Sequence, residues 1–136
     1  MGCDENNATG TPPPKKLGIK DGHRVVIDGE PDGIAVDLLG PGERVETGPA
    51  DVIVAFHTKR AELERALPRL RALMQPAAAL WIAWPKKAAK TDTDITEDVV
   101  RELALSMSSP SLVDNKVCAI DATWSGLRLV IRLKDR

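Results

Sequence analysis

Two uninterrupted apolar runs constrain this chain more than anything else in it: Asp51–Phe56 (DVIVAF) and Leu80–Trp84 (LWIAW). Neither alternates with polar residues, so each reads as a strand covered on both faces, the pattern of a parallel sheet. Between them Leu63, Leu67, Leu70 and Leu73 recur at helical spacing with Arg and Glu on the opposite side. The unit is therefore β-α-β. Pro68 falls inside that helix, where a missing N–H predicts a kink or a fresh start.

The flanking segments extend the same alternation. Arg24–Ile27 (RVVI) is a short strand that enters the turn Asp28-Gly29-Glu30-Pro31-Asp32-Gly33, and Ile34, Ala35, Leu38 and Leu39 then share a helical face up to Gly40-Pro41-Gly42. Arg44–Thr47 is a candidate brief strand. Asp94 with Glu97 has the spacing of a capping box, and Ile95, Val99, Val100, Leu103 and Met107 form a stripe for a second long helix. Lys116–Ile120 (KVCAI) and Leu127–Leu133 (LRLVIRL) lie close enough to close the sheet as an antiparallel hairpin. Arg128 and Arg132 alternate with leucines there, which predicts either an uncovered face or side chains that snorkel past a helix end. Met1–Pro14 contains three successive prolines and almost nothing apolar, so residues 1–14 are expected to be a disordered tail and 15–136 a single α/β domain.

The fold class expected is three-layer Rossmann-like α/β, a mostly parallel sheet ending in an antiparallel hairpin. With 19 Lys and Arg against 20 Asp and Glu, the charge balance opposes a nucleic-acid binder, which needs a basic excess. No apolar run reaches the length of a membrane span. Cys3 and Cys118 are the only cysteines, so a disulfide framework is not expected, Cys118 reads as a small buried residue, and the chain reads as cytoplasmic.

The order DVIVAF, LERALPRLRALMQP, ALWIAWP, TEDVVRELAL and hairpin resembles the second half of a class I S-adenosylmethionine-dependent methyltransferase, over about 51–133. The stretches KLGIKDGHRVVIDGEPDGI, ADVIVAFHT, ALWIAWPKK and LVDNKVCAIDATWSGLRLVIRL are similar to a small bacterial family known as a domain of unknown function, from about Lys16 onward. The methyltransferase resemblance implies a G-x-G-x-G loop after the first strand and an acidic residue after the second. Here the loop is Asp28–Gly33 with different glycine spacing, and Glu43 or Glu46 is the candidate acid. Those departures lead to the expectation of a non-catalytic module that binds a small molecule or a protein and holds no cofactor. The alternative is a small S-adenosylmethionine-dependent methyltransferase.

In open α/β sheets ligands bind outside the C-terminal ends of the strands. That rule gathers Asp28, Glu30 and Asp32 after the first strand, His57 and Thr58 after the second long one, Trp84, Lys86 and Lys87 after the third, and, if Lys116–Ile120 runs parallel to these, Asp121, Trp124 and Ser125 at the hairpin. Asp28 and Glu30 suit a cationic group such as a sulfonium, whereas Asp32 suits a helix cap. His57 can act as a base or simply pack. Trp84 beside Lys86 and Lys87 can stack a planar ring and neutralise an anion, or be core with solvated lysines. Trp124 can pack on the sheet edge. No Cys or His spacing matches a metal site.

Overall fold

The computed structural model describes residues 18–29, 42–86, 92–105, 112–120 and 123–131, without the side chains of 114–116, 118 and 119. The expected tail, the helix at Ile34–Leu39, Glu30, Asp32, Lys87, Asp121, Met107 and Arg132, and the side chain of Cys118, lie outside the described residues.

Six strands, β1 (Arg24–Asp28), β2 (Glu43–Arg44), β3 (Ala50–Phe56), β4 (Met74–Pro85), β5 (Leu112–Ala119) and β6 (Trp124–Ile131), form one sheet in the order β2-β1-β3-β4-β6-β5. β2, β1, β3 and β4 are mutually parallel, and β6 is antiparallel to both β4 and β5. The mostly parallel α/β sheet with a closing antiparallel hairpin is thus present. The hairpin's second strand is the one inserted beside β4. Leu127, Leu129 and Ile131 supply the reason: all three are buried on the same face as Leu80 and Ile82 of β4.

Arg128 takes the other face, opposite Trp81, and is half-buried beside His23, Asp51 and Gln75. The leucines around it are therefore core, while Arg128 lies in a polar cleft on the face that neither described helix covers.

Helices α1 (Arg60–Leu73) and α2 (Glu97–Leu105) both pack on the first face. α1 buries Leu63, Ala66, Leu67 and Leu70 there. It runs through Pro68 as one element, so no fresh helix starts there. Pro68 and Glu64, whose carbonyl loses its partner, are both exposed, so water can take up the lost bond. The opposite face gathers Val25, Ile27, Val52, Val54, Phe56, Trp81 and Ala83, with Ile19, Ile120 and Trp124 against them. Trp81 and Trp84 fall on opposite faces, as alternation along a strand requires.

β4 is longer than the five apolar residues that announce it. Its start, Met74, pairs with Ala50, but the register slips before Val52 meets Ala79, and Gln75–Ala78 with Pro76 occupy the slip. A proline without an N–H is tolerated at such an irregularity. Among the described residues no helix is long and apolar enough to cross a membrane.

Candidate functional site

β1 lies between β2 and β3, so the chain leaves β1 to one side and returns on the other. That reversal opens a crevice beyond the C-terminal ends of β1 and β3, the position where such sheets take ligands. Asp28 ends β1, and His57 immediately follows β3. The His57 backbone N–H donates to the Ala83 carbonyl at 3.1 Å, extending the β3–β4 ladder by one residue and holding the side chain in place.

The imidazole Nε2 stands 3.0 Å from Asp28 Oδ2. An ionised carboxylate only accepts, so Nε2 is the donor, and in the neutral form of the ring the lone pair is then on Nδ1. Asp28 accepts a second bond at Oδ1, from the Arg69 guanidinium at 3.0 Å. The histidine and aspartate side chains are 11% and 20% exposed and Arg69 57%, so the pair is sheltered and the arginine closes it from outside. Around them Gly29, Glu62, Arg65 and Ala66 complete a cleft of about 290 Å³.

Gly29 is required at this point. Its φ is +65°, and a Cβ there would collide with the Phe56 carbonyl oxygen. The chain leaving β1 can turn past β3 only without a side chain.

A second cleft, of about 530 Å³, opens beyond the end of β4 between α2 and the start of β6. Trp84, Lys86, Thr96, Val117 and Ser125 are among its walls. Between the two clefts runs a seam of hydrogen bonds: Thr93 Oγ1 donates to the Thr58 carbonyl at 2.7 Å, the Asp94 N–H to the same carbonyl at 3.3 Å, and the Arg60 N–H to Asp94 Oδ1 at 2.5 Å. Asp94 thus caps α1, not the helix that follows it. α2 is capped by Thr96, whose Oγ1 accepts the Val99 N–H at 3.3 Å. The capping-box reading of Asp94 fails because a tertiary partner takes its carboxylate, while Glu97 turns to Arg101 at 2.5 Å.

Of the sequence candidates, Asp28 and His57 meet directly, and Trp84 and Lys86 share the larger cleft. Trp84 is 8% exposed and belongs mainly to the core, so it offers an edge, not an open face. Trp124 pairs with Pro85 at the rim but turns its ring to Phe56, edge to face at 5.1 Å, on the other side of the sheet. Glu43 pairs with Arg24 at the N-terminal end of β1, far from the rim, and Glu46 lies in the bend returning the chain to Ala50. Neither occupies the place of the expected acid, because β2 is two residues long and pairs only with the start of β1. Arg69 escaped sequence reading, and Asp94 was expected only as a cap for the helix that follows it. Arg65 and Arg69, one turn apart on α1, carried a signal in that the helix must cross the face beside β1 and β3.

No family model and no curated protein sequence matches the chain. Solved structures do. The fibrillarin pre-rRNA processing protein of Methanococcus jannaschii aligns with a TM-score of 0.57 at 9% identity, over 93% of this chain and 76% of that one. A SAM-dependent methyltransferase from Aquifex aeolicus gives 0.57 at 17% identity, over 87% of both chains. Aeropyrum pernix fibrillarin, solved with natively bound S-adenosyl-L-methionine, gives 0.55 at 14% identity, over 84% of this chain and 69% of that one. The fold is that of the SAM-dependent methyltransferases. These neighbours overturn the expectation of a non-catalytic module without a cofactor, which rested on the glycine spacing of the first loop and on the acid expected after the second strand.

Proposed function

We propose that this protein is a small S-adenosylmethionine-dependent methyltransferase whose cofactor enters the crevice between β1 and β3. The observation that carries the reading is the Asp28–His57 pair, sheltered at the strand-order reversal of a sheet shared with methyltransferases. The residues around it suit the charged end of the cofactor. Asp28 and Glu62 are carboxylates and Arg65 and Arg69 guanidiniums within one cleft, a set complementary to a zwitterionic amino acid beside a sulfonium.

When bound, the cofactor supplies a methyl carbon made electrophilic by positive sulfur. Asp28 provides the negative charge that favours such a cation, and its bonds to Arg69 and His57 orient that carboxylate. His57 Nδ1, free by tautomer, is the atom positioned to take a proton from an O–H or N–H acceptor. Lys86 and the edge of Trp84 form the neighbouring wall that positions the acceptor. The division into a tail at 1–14 and one domain at 15–136, a cytoplasmic location, and a place in the small bacterial family belong to the same proposal, supported by the composition and the shared stretches.

A thermal-shift titration with S-adenosylmethionine tests it. At about a thousand times the dissociation constant, binding should stabilise the native state by roughly 4 kcal/mol, and D28N should weaken that binding at least tenfold. A flat response across millimolar cofactor sinks the reading.

A further inference from the structure

We infer that the larger cleft, beyond the end of β4, is an acceptor site for a ring-sized apolar molecule bearing one acidic group, held by Lys86 and Ser125. The word acceptor rests on the methyltransferase reading; the ligand chemistry rests on the cleft alone. At about 530 Å³ it has the size of a small-molecule site, and its floor is apolar: Trp84, Pro85, Ile95 and Val117. Val117 is 36% exposed, an apolar side chain left facing the opening.

Most polar groups in the walls are already committed. Thr93 Oγ1 donates to the Thr58 carbonyl and accepts the Ile95 N–H, Thr96 Oγ1 accepts the Val99 N–H, and Glu97 is bound to Arg101. Two remain. Lys86 is half-buried and forms no ion pair among the described residues, while its backbone N–H, bonded to the Thr123 carbonyl at 2.8 Å, fixes where its stem begins. Ser125, also half-buried, directs no hydroxyl hydrogen bond to a described residue. One ammonium and one hydroxyl above an apolar floor match a carboxylate or phenolate on a hydrophobic ring. A cationic ligand would meet Lys86 with Glu97 already neutralised by Arg101.

Isothermal titration of the full chain with 1-naphthoate and with the neutral 1-naphthalenemethanol reads this directly, without cofactor. Naphthoate should bind at least tenfold more tightly, and K86Q should abolish the preference by weakening naphthoate far more than the alcohol. V117D, an exposed position tolerant of change, should reproduce that loss by placing a carboxylate in the opening. Equal binding of the two probes by the native protein, no binding of either, or an undiminished preference in both variants overturns the inference. Lys86-dependent naphthoate binding alongside a flat S-adenosylmethionine titration would leave the ligand site standing and remove only its assignment to methyl transfer.

Discussion

His57 Nε2 and Asp28 Oδ2 stand 3.0 Å apart, although 29 positions separate them along the chain. β1 and β3 are hydrogen-bonded neighbours, with Asp28 opposite Ala55, so the residue ending one strand and the residue following the other must meet at the rim. The contact fixes the imidazole tautomer. Nitrogen chemical shifts in the native protein should show the neutral ring protonated on Nε2, and D28A should shift the population toward Nδ1–H. A native ring protonated on Nδ1 would contradict the base assignment.

Arg69 reaches the same carboxylate from a side chain that is 57% exposed. Solvent screens that ion pair, so R69Q should cost less than about 1 kcal/mol in urea unfolding. Its effect belongs to ligand binding, and a severalfold weaker S-adenosylmethionine affinity is expected, read by calorimetry. Unchanged affinity would remove Arg69 from the site.

Gly29 and Gly22 separate backbone strain from collision. Both have positive φ, +65° and +82°, but a Cβ at Gly22 meets nothing within 4 Å while one at Gly29 strikes the Phe56 carbonyl. G22A should therefore cost about 1 kcal/mol and G29A about 2–3 kcal/mol or more, since β1 or β3 must shift as well. Equal losses in chemical denaturation would mean that the close approach at the end of β1 is not a constraint.

Asp94 caps a helix that precedes it in the chain by 34 positions. D94A should destabilise the protein by about 1 kcal/mol, and D94N, which retains an accepting oxygen, by much less. Hydrogen exchange should quicken at the first turn of α1 in D94A. Faster exchange confined to α2 instead would restore the capping-box reading of the sequence.

The apolar runs and the leucine repeat announced β3, α1 and the core of β4 because periodicity records which sides of a segment leave water, and that is local information. The hairpin was legible for the same reason, as was the placement of Trp81 and Trp84 on opposite faces. The position of β6 between β4 and β5 was not, since a strand's neighbour is chosen by side chains on another strand. The site divided along the same line. Asp28, His57, Trp84 and Lys86 could be named from strand ends, whereas Arg69 lies mid-helix, 41 positions from its carboxylate partner, marked only by its spacing from Arg65 on one face of the helix.

Burial pattern along the chain was enough to establish an α/β sheet and which residues end its strands, because each segment carries its own record of solvent exclusion. Which rim residues touch, which nitrogen of His57 is left free, which helix Asp94 caps and which polar groups stay uncommitted in the larger cleft came from strand pairing and helix docking. Hydrogen bonds and ion pairs depend on distances of a few ångströms between segments far apart in the chain, and only the assembled sheet sets those distances.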